Sequence, residues 1–278
     1  MGKLVWIASF PKSGNTWLRM LLANYLANSP KPIPLSDINK FTFGDNRAEY
    51  FEAVARGRKF ADLSDRDLLR LTPAVHARMA AQTPNRALLK THNLNQKIHG
   101  VPLITPEVTA GAIYLVRNPL DVVASYSDHL GEGIDYTIAE MANPKARTYR
   151  IPGYAGDYRG GWSDHVRSWC ETSVFPVLVV RYETLMAEPE ESLAKICKFL
   201  QLPITADRIR RAVDHSRFDV LAADERASGF SERSPHSKAF FREGAVGKGK
   251  ALLSQAQESR LYTDHGPVMR ALGYPTGP

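Results

Sequence analysis

The chain has 278 residues, 44% of them apolar and 23% charged, the balance of a globular chain with a sizeable core rather than of a disordered or collagen-like one. Its 36 Lys and Arg against 29 Asp and Glu leave a formal charge of +7, which favours anionic ligands. No block of five or six basic residues marks a nucleic-acid arm, and two cysteines cannot build a disulfide framework.

The opening apolar run is too short for a signal h-region or a membrane span, and Trp6 stands where a myristoylation signal needs Ser or Thr. A cytoplasmic chain with no membrane partner is expected. Leu4 to Phe10 is a continuous apolar run, as expected of a parallel strand covered on both faces. A loop, Pro11 to Thr16, separates it from Leu18, Leu21, Leu22 and Tyr25, whose spacing of i, i+3, i+4 and i+7 predicts a helix. Ser29 to Asn46, with three prolines, reads as irregular.

Arg86 to Thr91 and Ala112 to Arg117 predict further strands, and Pro119 suits the first turn of the helix that follows. Gly131 to Gly161 reads as a second irregular stretch. Val177 to Tyr182 predicts a fourth strand, and Pro189 opens a helix whose apolar face carries Leu193, Ile196, Cys197 and Leu200. Ala222 to Gly249 is the third irregular stretch. Cys170 and Cys197, without metal-ligand spacing, are expected in the core.

Strands alternating with helices predict an α/β fold, one domain over residues 1–278, with a central parallel sheet flanked by helices. In such a sheet ligands sit at the carboxyl ends of strands, where a helix start offers free N–H groups to an anion. Pro11 to Thr16 occupies that junction. Gly14 allows close backbone approach, Ser13, Asn15 and Thr16 supply side-chain donors, and Lys12 supplies a charge. The lysine precedes the glycine, however, and the G-x-x-x-x-G-K-[ST] pattern of a magnesium-dependent ATP loop occurs nowhere in the chain.

Across nearly its full length the chain resembles the PAPS-dependent sulfotransferases. Phe10-Pro11-Lys12-Ser13-Gly14-Asn15-Thr16-Trp17 is similar to that family's loop for the 5′-phosphosulfate, with Asn15 where many members have threonine. Leu89-Lys90-Thr91-His92 resembles its strand end bearing the catalytic base. Arg117 and Ser125 match its two contacts to the 3′-phosphate; Trp17 and Tyr182 match aromatic contacts to adenine, and Ser216 and Phe218 its adenine-side segment. Phe241, Arg242 and Gly244 fall on the signature of the loop that closes over the nucleotide, although Glu243 replaces a usual lysine and Lys248-Gly249 a usual Asp-Trp.

The resemblance implies a P-loop-like site for 3′-phosphoadenosine 5′-phosphosulfate (PAPS), without metal, with adenosine 3′,5′-bisphosphate (PAP) as product. It implies transfer to a hydroxyl of a small-molecule or natural-product acceptor, with His92, Lys12 and Lys90 in the catalytic roles. Two other readings stay open on the residues alone: a P-loop kinase or NTPase, and a nucleotide-binding module without catalysis. Ser29 to Asn46, with Phe41 and Phe43, and Gly131 to Gly161 are expected to wall the acceptor pocket, the alternative being that their apolar side chains anchor the loops to the core. For Arg117 the competing expectation is an ion pair with Asp121.

Overall fold

A computed structural model describes residues 3–241 and 244–277. In chain order its elements begin with β1 (Leu4–Ser9), α1 (Asn15–Ala27), α2 (Ile38–Phe41), β2 (Thr42–Gly44), α3 (Ala48–Glu52), α4 (Asp65–Gln82) and β3 (Ala87–Thr91). They continue with β4 (Lys97–Ile98), β5 (Val101–Pro102), β6 (Thr109–Val116), α5 (Pro119–Leu130), α6 (Ile134–Ala142), α7 (Trp162–Cys170) and β7 (Val177–Arg181). The last five are α8 (Tyr182–Ala187), α9 (Pro189–Phe199), α10 (Ala206–His215), α11 (Phe218–Ser228) and α12 (Gln255–Ala271). The fold is α/β, with a central five-stranded sheet ordered β2-β3-β1-β6-β7 and flanked by helices.

The chain divides into two compact units, each assembled from separate segments. The first comprises residues 3–10, Phe43–Tyr114 and Ala142–Val179. In it β1 and β3 run parallel, with Leu4 opposite Ala87 and Ala8 opposite Thr91. All six residues of β1 are buried, which is why Leu4 to Ala8 are apolar throughout instead of alternating. Each large side chain of that strand contributes about 1.5–3 kcal/mol through burial. Trp6 adds a hydrogen bond from Nε1 to Thr109 Oγ1 at 3.0 Å. Trp162 and Trp169 of α7 are fully buried, and Trp169 Nε1 donates to the Asn93 carbonyl at 3.0 Å, tying the helix to the turn after β3.

The second unit comprises Pro11–Thr42, Leu115–Met141 and the described residues from Val180 onward. Its apolar cluster gathers Met20, Leu35, Ile38, Leu221, Phe230 and Phe241. Asn24 of α1 is buried among them and fully used: Nδ2 donates to Met20 O and Ser216 Oγ, and Oδ1 accepts from Ile33 N at 2.8 Å. Pro119 and Pro189 open α5 and α9, as their fixed φ and missing N–H suit. Ser254 caps α12 in a reciprocal pair with Gln257.

The three stretches read as irregular each hold structure. Ser29 to Asn46 contains α2 and the three-residue β2, both too short to show a period. Gly131 to Gly161 contains α6, and α11 runs on from Phe218 to Ser228. Cys197 is buried as expected, but Cys170 is exposed, because it is the last residue of α7 and falls past that helix's buried face. Among the described residues no helix is long and apolar enough to cross a membrane.

Candidate active site

In the second unit, α1 starts without a side-chain cap and with no acidic residue in its first turn, so its first N–H groups keep their pull on an anion. Gly14 precedes it at φ 97, a left-handed conformation, and a Cβ there would lie 2.5 Å from the Tyr182 ring. Both facts require glycine. Lys12 also takes a left-handed φ of 65 and places Nζ 4.3 Å from the centre of the Phe240 ring.

Arg117, directly after β6, lies over the Tyr182 ring at 4.4 Å and donates to the carbonyls of Lys12 (3.3 Å) and Ala245 (3.0 Å). It makes no ion pair with Asp121, which instead accepts from Gly247 N (2.8 Å) and Gly249 N (2.7 Å). Trp17 meets Tyr182 edge-on at 5.8 Å and donates from Nε1 to the Ser216 carbonyl at 2.9 Å. Burial raises the Tyr182 phenol above its ordinary pKa, so the ring stays neutral beside Arg117. Phe218 packs on Phe241 at 6.0 Å, and Gly244 at φ 54 approaches Phe218 so closely that a Cβ would sit 2.5 Å from the ring.

Lys12 to Trp17, Arg117, Tyr182, Ser216, Phe218, Phe241 and Gly244 thus belong to one continuous set of contacts in this unit. Ser125 lies half-buried on α5. Arg242 lies outside the described residues. Two serines depart from the simplest expectation: Ser216 Oγ is fully buried and taken by Asn24, whereas Ser13 Oγ is fully buried with no hydrogen-bond partner among the described residues. Thr16 Oγ1 donates to Glu232, which also pairs with the buried Arg19 at 2.6 Å.

Several residues that organise this set carry no motif. Glu225 accepts from the N–H groups of Phe240 (2.7 Å) and Phe241 (2.9 Å), Asp121 holds the turn at Gly247 to Gly249, and Glu183 accepts from Asn118 N at 2.9 Å. Asp121 falls in the helix expected after Pro119, Glu183 follows the fourth predicted strand, and Glu225 falls in the third irregular stretch, so no shared pattern in the sequence marks them.

In the first unit, His92 follows β3, and its Nδ1 lies 2.7 Å from the Ser9 carbonyl. A carbonyl only accepts, so Nδ1 carries the proton and the lone pair of the neutral ring is on Nε2. His165, fully buried on α7, holds the main chain of His92 through Nε2 to the His92 carbonyl at 3.2 Å. Burial is the main cause that drives the His165 pKa down to about 3, with Arg159 adding to it and the bond to His92 opposing it. His165 is therefore neutral, and its Nδ1 accepts from the Tyr114 hydroxyl at 3.0 Å. Lys90 lies half-buried in β3, within electrostatic reach of Asp157, whose carboxyl burial pushes up to about 6.

A narrow cleft opens in the same unit, between Asp45 and Asn46 after β2, one face of α4, Asn93, and residues 147–158. Asp45 and Asn46 come from the first stretch read as irregular and residues 147–158 from the second, whereas Phe41 and Phe43 are not among the lining residues; Phe43 packs on Tyr50 at 6.5 Å.

A family model described as a sulfotransferase domain matches residues 3–273. The chain belongs to the sulfotransferase family. This sulfotransferase is 27% identical to sulfotransferase 1B1 of Mus musculus, over 92% of the present chain and 79% of that protein. It is 26% identical to mouse sulfotransferase 1 family member D1, over 93% and 81% of the two chains. Among solved structures it is similar in fold to retinol dehydratase in complex with androsterone and inactive cofactor PAP, with a TM-score of 0.64, 16% identity and coverage of 96% and 80%. Mouse sulfotransferase SULT7A1 complexed with PAP gives a TM-score of 0.60 at 18% identity, covering 96% and 85%.

Proposed function

We propose that this sulfotransferase moves the sulfuryl group of PAPS to a hydroxyl of a small-molecule acceptor, as a single cytoplasmic catalytic domain, and releases PAP. The observation that carries the donor assignment is a pair of buried polar atoms without partners, Ser13 Oγ and Arg117 Nε, beside the uncapped start of α1. Orphaned donors of this kind cost about 1–3 kcal/mol each unless a ligand satisfies them. A nucleotide with two separate phosphate groups suits them: the 5′-phosphosulfate at Ser13 to Thr16 and the 3′-phosphate at Arg117 with Ser125. Trp17, Tyr182, Ser216, Phe218, Phe241 and Gly244 form the adenine side and its cover, and Arg242 is assigned to the nucleotide by the resemblance alone.

His92 Nε2 takes the proton from the acceptor hydroxyl as the new S–O bond forms and the bond from sulfur to the bridging phosphate oxygen breaks in line. Lys12 balances the charge gathering on that leaving oxygen, and Lys90 balances charge on the sulfuryl oxygens. His92 is bonded to Ser9, three residues before Lys12. Chain connectivity alone therefore holds the α-carbons of Ser9 and Lys12 within roughly 11 Å, three virtual bonds of about 3.8 Å.

Loss of a general base typically costs about 10²–10⁴-fold in rate. His92→Ala should therefore bind PAP like the unaltered protein in calorimetry while turnover of radiolabelled donor collapses by that factor. Transfer within threefold of the unaltered rate would remove His92 from the mechanism.

A further inference from the structure

The cleft in the first unit carries a charge imbalance that bears on what it accepts. Two arginines line it, and each is tied to the protein. Arg150 donates to the carbonyls of Phe60 and Leu63 and lies over the Phe60 ring at 4.8 Å. Arg147 bonds Asp65 at 2.9 Å and lies 4.3 Å over Tyr149. Asp65 is thereby paired as well.

Asp45 is different. It is 5% exposed, lines the cleft, and uses one oxygen, Oδ2, as acceptor from His76 Nε2 at 2.9 Å. His76 is fully buried and anchored on its far side by Thr105 Oγ1 at 2.8 Å, so the carboxylate is held in one orientation. Among the described residues no donor reaches Oδ1. Asp157, beside the cleft, is a second carboxylate within electrostatic reach of Asp45. Asp45 Oδ1 is therefore an acceptor at the cleft without a donor among the described residues, while Arg147 and Arg150 are each already tied to protein groups. Leu68, Leu69, Leu103 and Phe51 supply the apolar remainder.

The cleft also adjoins the strand end that bears the proposed base. Asn93, next to His92, is one of its walls, and Asp45 follows Gly44, whose Cα faces the Lys90 carbonyl across β2 and β3.

We propose that this cleft seats the acceptor, and that Asp45 Oδ1 accepts a hydrogen bond from a second donor group on it, an ammonium or a hydroxyl remote from the hydroxyl that is sulfated. The inference rests on the sulfotransferase reading and narrows it to acceptors with a compact apolar body and a distal donor. Wholly apolar alcohols and phenols leave a buried carboxylate oxygen desolvated without a partner and are disfavoured.

The test is a series of para-alkyl phenols with one to four methylenes, each ending in an ammonium, a hydroxyl or a methyl group, assayed with radiolabelled PAPS for sulfated phenol. The expected result is a kcat/KM at least tenfold higher for ammonium- or hydroxyl-ended members than for methyl-ended ones at one or more lengths, with the two donor arms telling which group is preferred. Asp45→Asn, whose side-chain oxygen still accepts from His76, should reduce that preference at least fivefold for the ammonium arm and leave PAP affinity unchanged. Equal turnover of all three end groups at every length sinks the inference and leaves the transfer reading standing. Label remaining in the donor with every phenol, while PAP still binds, sinks both.

Discussion

On the proposed reading, the cradle at Lys12 to Trp17 and the cleft at Asp45 would use opposite means of recognition. In the cradle the working parts are main-chain N–H groups, a left-handed glycine at φ 97 and a helix start without a cap, all supplied by consecutive residues. In the cleft they are side chains from distant segments, among them 45–46, 65–72 and 147–158, and the atom singled out is one oxygen of a carboxylate held by a buried histidine. A site made from the backbone fixes one charge and one shape. A site made from side chains can change its ligand with a single substitution and keep its fold.

The largest expected effect separates the two directly. Gly14→Ala forces a left-handed alanine, costing about 1–2 kcal/mol, and drives its Cβ into the Tyr182 ring, an overpacking cost of about 1–3 kcal/mol. Urea unfolding should show a loss of about 2–4 kcal/mol, and PAP binding should fall with it, because Tyr182 also carries Arg117. A loss below about 0.5 kcal/mol would mean that the cradle is far softer than its geometry implies.

Next is Arg117→Ala. Hydrogen bonds to charged groups contribute about 1.5–3 kcal/mol, so PAP should bind roughly 10–150-fold more weakly. Adenosine 5′-phosphate, which lacks the 3′-phosphate, should lose much less, and calorimetry with both ligands tells them apart. Equal losses would place the guanidinium at some part of the nucleotide that both share.

How much of each region was legible in the sequence follows from the same distinction. The phosphate loop, the strand ends at Arg117 and His92 and the prolines opening α5 and α9 were readable, because a backbone site demands special residue types at fixed adjacent positions. Asp45 was not singled out: it follows a strand of three residues, and nothing in sequence links it to His76, 31 positions away. Asp121 was legible only as a competitor for Arg117. In the structure its carboxylate turns to two N–H groups more than 120 residues on, a pairing no local pattern records.

The pH dependence of stability tests the first unit. His165 titrates at about 3 when folded and near 6.5 when unfolded, and His265 of the second unit at about 4, burial being the main cause in both. Because the unfolded chain binds these protons first, stability is fully present above pH 6.5 and is lost as pH falls below it. Each histidine adds a slope approaching about 1.4 kcal/mol per pH unit. Urea unfolding between pH 6.5 and 5 should give close to twice that slope from the two histidines, opposed below about pH 6 by Asp157, whose raised pKa makes the folded chain bind its proton first. His165→Asn should remove half of it. An unchanged slope would show that His165 is charged in the fold, in which case it could not accept from Tyr114.

The smallest effect concerns the cover over the cradle. Its sequence departs from the family pattern at Lys248-Gly249, yet the turn is held, because Asp121 accepts from both Gly247 and Gly249. Gly249 meets α5 so closely that a Cβ would lie 2.0 Å from the Leu120 carbonyl. Asp121→Asn keeps one acceptor oxygen and turns the other into a donor facing an N–H, so one hydrogen bond is lost, about 1 kcal/mol. That energy raises the population of locally open turn about fivefold, which hydrogen exchange at residues 247–249 should register while the amides of β1 do not change. Exchange that quickens in β1 as well would mean that Asp121 supports the whole fold. Exchange confined to the turn would make it the latch of the cover, a part the cleft does without.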